Sequence, residues 1–159
     1  MTAVLYPGSF DPFHNGHREL CESASYLFDR VIVATMQNPQ KGEPLFELPE
    51  RKVMIEEALA HLDNVEVVSF AKLVVEVAKD VGADFILKGL RALSDAESEM
   101  AQAQMNLAIS GVHTVFLPSA SASSFVASKY IRDIARFGGD VSMMVPDPVA
   151  KRLRERYPT

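Results

Sequence analysis

The side chains best equipped for chemistry crowd into Tyr6–His17, YPGSFDPFHNGH. Ser9 supplies a hydroxyl, Asp11–Pro12 predicts a turn, and His14 and His17 flank Asn15–Gly16. A histidine beside a phosphoryl group can donate a hydrogen bond to an oxygen whose charge grows in the transition state. Gly8 can let the backbone come close to a phosphate. If the segment leads from a buried strand into a helix, the free N–H groups and positive dipole end of that first turn favour an anion. The pattern therefore predicts a nucleotide-phosphate site. An ordinary turn-rich loop with a solvated His17 uses the same residues, but it gives no reason for two histidines around a glycine at such a junction.

The elements that must position these groups are short apolar runs alternating with amphipathic ones. Strands are predicted at Ala3–Tyr6, Val31–Thr35, Val65–Val68, Phe85–Leu87 and Thr114–Leu117. Most are continuously apolar, as in a parallel sheet covered on both faces. Between them, helical stripes run through Leu20, Cys21, Ala24, Leu27 and Phe28, then Met54, Ile55, Ala58, Leu59 and Leu62 behind Pro49. A third stripe is Leu73, Val74, Val77 and Val81, ended by Gly82. A fourth helix is predicted from Ser94 to Ser110, a fifth from Ile131, Ile134 and Phe137 up to Gly138–Gly139, and a last from Val149, Leu153 and Tyr157. Strand–helix alternation predicts one doubly wound α/β domain over residues 1–159, with a five-stranded parallel sheet of Rossmann-like type and right-handed crossovers. Strand order is not readable from the pattern. The irregular stretch Asn38–Leu48, rich in Pro, Gly and Lys, predicts a mobile loop of the kind that covers ligands.

Composition narrows the partners. The chain has 159 residues, 48% hydrophobic and 23% charged, with a formal net charge of −5, so a general nucleic-acid binder is not expected. The lone Cys21 has no internal disulfide partner and fits a reducing compartment. No run reaches membrane-spanning length and the start resembles no signal peptide, so a cytoplasmic location is expected.

Further charged or hydroxylic residues fall at predicted strand ends and helix starts. Lys41 lies in the long loop, and Lys88–Gly89–Leu90–Arg91 follows the fourth strand. Asp95, Glu97 and Glu99 open the next helix, where they could equally complement its dipole. Ser123, Ser124, Phe125, Val126, Ala127, Ser128 and Lys129 precede the fifth helix, and Gly138–Gly139–Asp140–Val141 follows it. Val74 reads equally well as a core residue.

The His-x-Gly-His element resembles the signature of the nucleotidyltransferase superfamily. With KGLR, the acidic run, Met105–Asn106 and GGDV, in that order and almost end to end, the chain resembles the phosphopantetheine adenylyltransferases. That resemblance implies transfer of an adenylyl group from ATP to the 4′-phosphate of phosphopantetheine, with release of pyrophosphate. It implies that Ser9 and Phe10 touch both substrates and that His17 stabilises the transition state. Lys41, Val74 and Lys88 would meet phosphopantetheine. Gly89, Leu90, Arg91, Glu99 and the segment Ser123–Lys129 would meet ATP, with His17, Lys41 and Arg91 the catalytic set. It further implies Mg²⁺ carried by the ATP phosphates, with no metal ligand from the protein, and a homohexamer. For the latter, the fourth helix offers apolar residues on two sides: Met100, Ala103 and Leu107, with Ala101, Met105 and Ala108.

Several positions depart from the family pattern. Ala96 and Ser98 are small where aromatic residues are common, Ala127 and Lys129 replace two serines, Lys88 stands for the commoner arginine, and His14 for threonine. Val126–Arg132 partly resembles a run in nicotinate or nicotinamide mononucleotide adenylyltransferases, and the altered 123–129 segment also fits a nucleotide sensor without turnover.

Overall fold

The computed structural model describes residues 1–119 and 121–158. Five strands, β1 (Ala3–Gly8), β2 (Arg30–Met36), β3 (Val65–Phe70), β4 (Phe85–Leu90) and β5 (His113–Pro118), form one parallel sheet in the order β3-β2-β1-β4-β5. The helices are α1 (Asn15–Leu27), α2 (Leu48–Ala58), α3 (Val74–Val81), α4 (Leu93–Ser110), α5 (Ser128–Arg136) and α6 (Asp147–Arg156). The predicted strands are all present, each longer by two or three residues, so Gly8 and Lys88–Leu90 belong to the strands that carry them.

Chain order explains the layers. Crossovers β1-α1-β2 and β2-α2-β3 proceed towards one edge, whereas β3-α3-β4 and β4-α4-β5 proceed towards the other. With right-handed connections, the two pairs cover opposite faces. One face holds a large cluster from α1, α2, α5 and α6, including Leu20, Cys21, Met54, Ile55, Ile131 and Leu153. The opposite face holds a smaller cluster built from Ile32, Phe70, Val75, Val77 and Ile86.

The order reverses between β1 and β4. β1 is in register with β2 over six residue pairs, but with β4 only at Val4–Phe85 and Leu5–Ile86. The carboxyl ends of β1 and β4 therefore separate and open a crevice at the topological switch point, where such sheets bind ligands.

Some stripe assignments need correction. Leu27 and Leu73 are 56% and 61% exposed, and Phe137 is 89% exposed. Leu73 precedes α3 as its cap, so the inner face of that helix starts at Val75, with Val74 only half-buried. Phe137 caps α5, past the last helical turn. The far end of the predicted mobile loop is fastened: the buried Asp11 carboxylate accepts the Leu45 and Phe46 N–H groups at 2.8 and 2.9 Å, and Arg156 donates to the Leu45 carbonyl at 2.7 Å.

Candidate active site

At the end of β1 the chain turns over itself. Phe10 adopts φ +50°, an uncommon left-handed conformation for a residue with a side chain. Its ring folds back so closely that a Cβ on Gly8 would lie 2.8 Å from it, so Gly8 makes room for Phe10. The Phe10 ring then meets Tyr6, Phe13 and His17, with centroids 5.2, 5.6 and 4.9 Å away. His17 thus sits against an aromatic wall while still lining a cleft of about 480 Å³.

The spacing of the two histidines is that of a reciprocal helix cap. His14 Nδ1 accepts the Gly16 N–H at 3.0 Å and, more weakly, the His17 N–H at 3.4 Å. His17 Nδ1 accepts the His14 N–H at 3.1 Å. Gly16 is required between them, because a Cβ there would strike the His14 ring at 2.9 Å. The rings stack with centroids 3.6 Å apart.

An imidazole whose Nδ1 accepts a hydrogen bond carries its proton on Nε2. Burial, and then the nearby Arg91 charge, push the His14 pKa down to about 3. Burial, His14, Arg91 and Lys41 hold His17 well below its ordinary range. Both rings are neutral at pH 7, each with an Nε2–H to donate. His17 can therefore stabilise growing charge on a phosphoryl oxygen as a neutral donor.

Five cationic side chains line the same cleft as the histidines: Lys41, Lys88, Arg91, Lys129 and Arg132. Lys41 Nζ donates to Ser9 Oγ at 3.3 Å. Its burial and the neighbouring Arg132 and Lys88 charges lower its pKa. Lys88 lies 3.7 Å from Glu99, and Arg91 lies 3.7 Å from Asp95 while donating to the Val126 carbonyl at 2.9 Å. Arg132 donates to the Asp11 carbonyl at 2.6 Å. The start of α5 also reaches the cleft through Ala127 and Ser128, and its cap makes no side-chain hydrogen bond to the first helical N–H groups. Two carboxylates line the same cleft, Asp11 and Glu99, and Asp11 is already committed to two backbone amides. An excess of fixed positive charge with free helix-start amides suits a polyphosphate.

Comparison with known proteins agrees with this geometry. The cytidylyltransferase-like family model matches residues 5–134. Phosphopantetheine adenylyltransferase of Gloeobacter violaceus is 47% identical over 155 residues, 97% of this chain and 96% of that one. The enzyme of the same name from Synechococcus sp. strain JA-3-3Ab is 47% identical over 98% of both chains. The chain belongs to the phosphopantetheine adenylyltransferase family. A solved structure from Vibrio parahaemolyticus, provisionally named a nicotinate-nucleotide adenylyltransferase, superposes with a TM-score of 0.67 at 17% identity, covering 96% of this chain and 99% of that one. At that identity the likeness concerns the fold alone.

In this member of the phosphopantetheine adenylyltransferase family, the cleft gathers Ser9, Phe10, His17, Lys41, Lys88, Gly89, Arg91, Glu99, Ala127, Ser128 and Lys129. The other candidates lie elsewhere. Val74 packs at the start of α3 against the smaller core cluster. Leu90 ends β4 outside the cleft lining. The Ser123 hydroxyl is turned to Glu19 at 2.8 Å, Val126 is buried in the larger core, and Phe125 is 67% exposed. Ser124 is likewise outside the lining. Sequence reasoning passed over Asp11 as a loop clasp, Arg132 in the cleft, and Arg51. The signal for Arg51 was present: it shares the helical stripe of Met54, Ile55 and Ala58, where a charge has no ordinary reason to be.

Proposed function

We propose that this chain transfers the adenylyl group of ATP to the 4′-phosphate of phosphopantetheine, giving dephospho-coenzyme A and pyrophosphate. The observation that carries this reading is the cleft at the β1/β4 switch point, which is lined both by His17, its Nδ1 occupied by the His14 N–H, and by five cationic side chains. A phosphate oxygen of the acceptor would bond to the α-phosphorus as the bond to the bridging oxygen of pyrophosphate breaks. That nucleophile is already ionised, so the protein needs no general base; orientation and charge stabilisation supply the catalysis.

In this reading Lys41 and Lys88 hold the acceptor phosphate, with Ser9 and Phe10 beside the reacting groups. Arg91, Lys129 and the α5 start hold the triphosphate, and Glu99 and Gly89 border the nucleotide. His17 donates to the α-phosphoryl oxygen. Mg²⁺ is proposed to be held through the phosphates of ATP and not by protein carboxylates, and it would supply neutralisation of charge on the leaving group.

We also propose a homo-oligomer of the hexameric type and a cytoplasmic location. Exposed Met100, Met105 and Ile109 on α4 support the first, and light scattering measures it. Among the described residues no helix is long and apolar enough to cross a membrane. Incubation with ATP and phosphopantetheine, read by mass, tests the activity. Dephospho-coenzyme A is expected; adenylated nicotinamide mononucleotide from a parallel incubation, or ATP binding without product, overturns the reading.

A further inference from the structure

Arg51, in the first turns of α2, is 1% exposed. Its Nη1 donates to the Ser9 carbonyl at 2.6 Å and to the Met36 carbonyl at 2.9 Å. Nε and Nη2 are buried with no hydrogen-bond partner within the protein. Burial opposes the guanidinium charge, the Asp11 and Glu47 charges favour it from beyond ion-pair contact, and an apolar side chain of similar volume often serves stability as well. The two carbonyls give it another purpose.

Met36 ends β2 and starts the segment that leads to Lys41, whose far end is clasped by Asp11. Ser9 ends the strand turn and meets Lys41 through its hydroxyl. The Ser9 carbonyl also accepts the Thr35 hydroxyl at 3.1 Å, so two interior donors hold it inward. In a trans peptide the following N–H points the opposite way, which turns the Phe10 N–H away from the Arg51 and Thr35 donors, in a loop whose Ser9 and Phe10 both line the cleft. The same peptide leads into the left-handed Phe10, a conformation that persists only where surroundings enforce it.

We infer that Arg51 is a positioning residue for the adenylyl transfer proposed above: it fixes the Ser9–Phe10 peptide so that the Ser9 hydroxyl and Phe10 N–H address the reacting phosphates. By holding Met36 with the same nitrogen, it sets Lys41 relative to that peptide. The assignment rests on the adenylyltransferase reading. Both acceptors of Arg51 are backbone carbonyls, so it acts through the backbone.

Steady-state kinetics on the purified full chain, with ATP affinity by calorimetry and thermal unfolding alongside, tests this. Misplacing reacting groups by about 1 Å costs on the order of 100-fold in rate, so Arg51→Met is expected to lower kcat by about 100-fold with KM for ATP within about threefold. Arg51→Lys keeps a donor and a charge and is expected to recover to within about tenfold of wild type, still measurably below it. Thr35→Val removes the second donor to the Ser9 carbonyl and is expected to lower kcat by about threefold to tenfold. If Arg51→Met does not fold, Arg51→Lys and Thr35→Val decide the matter. Wild-type kcat in folded Arg51→Met, or in both milder variants, overturns the inference; so does a loss of rate matched by the unfolded fraction. A wild-type chain that makes no dephospho-coenzyme A sinks the functional reading, and this inference with it. Wild-type turnover with an unaffected Arg51 variant sinks the inference alone.

Discussion

Replacing Asp11 separates the clasp on the 37–46 segment from the chemistry it serves. The carboxylate is 8% exposed and accepts two backbone N–H groups at 2.8 and 2.9 Å, from Leu45 and Phe46, whose side chains are inserted in the core. In Asp11→Ala both amides lose their acceptor while Phe46, 1% exposed, keeps them from water. Each buried unsatisfied amide costs about 1–3 kcal/mol, so the sum is about 2–6 kcal/mol. Should the segment peel away, loss of Phe46 and Leu45 burial costs a comparable amount, about 1.5–3 kcal/mol per side chain. Taking about 3 kcal/mol, the melting temperature of a chain this size falls by about 6–12 °C. Lys41 rides on the same segment, so KM for phosphopantetheine should rise while ATP affinity holds. Asp11→Asn is the sharper variant: it has nearly the same shape, but its NH₂ would confront an amide donor, so at least half of the loss should remain. Calorimetric unfolding and steady-state kinetics read both effects. An Asn variant that melts within about 1 °C of wild type, with unchanged KM for phosphopantetheine, refutes the clasp.

Other consequences are equally direct. His17→Ala should lower kcat by about 100- to 1,000-fold with ATP affinity nearly unchanged, as for loss of one donor to a developing oxyanion; near-normal turnover removes His17 from the mechanism. Because the active His17 is neutral and its pKa is depressed, it should add no acid limb near 6.5 to kcat beyond that of the acceptor phosphate, whose second pKa is about 6; a further limb on top of it refutes the neutral assignment. The folded His14 titrates at about 3 against 6.5 unfolded. The unfolded chain therefore takes up the proton first, and stability falls as pH drops below about 6.5. His14→Asn caps the helix without titrating, so denaturant titrations should show wild type losing about 2 kcal/mol more than the variant between pH 7 and 5. Lys41→Ala should raise KM for phosphopantetheine by about tenfold or more and spare ATP binding; unchanged kinetics remove it from the acceptor site.

Much of this arrangement was readable from the chain, for identifiable reasons. Continuous runs such as Val31–Thr35 are what a two-sided sheet needs, so strand positions came directly from apolarity. Tyr6–His17 announced itself because Gly16 and the two histidines answer a local cap geometry three residues wide. Strand order did not follow, because it depends on which edge each crossover takes and no single segment records that. The exposed Leu73 and Phe137 were misread since stripe periodicity ignores that both residues fall just beyond helix ends. Arg51 and the Asp11 carboxylate were missed because their partners are backbone groups distant in sequence, and a carbonyl or amide leaves no mark of identity.

The unequal dressing of the two sheet faces has a dynamic consequence. One face is backed by four helices inserted in a continuous core, whereas α4 has no fully buried side chain among its described residues 95–110. Local opening free energy rises with such burial, so the α4 amides are expected to exchange with solvent sooner than those of β1 or β2. Glu99 and, through its ion pair, Lys88 face the cleft from this loosely held wall. In the proposed oligomer, a subunit packed on the outside of α4 would therefore also tighten the cleft from within, tying assembly to catalytic order.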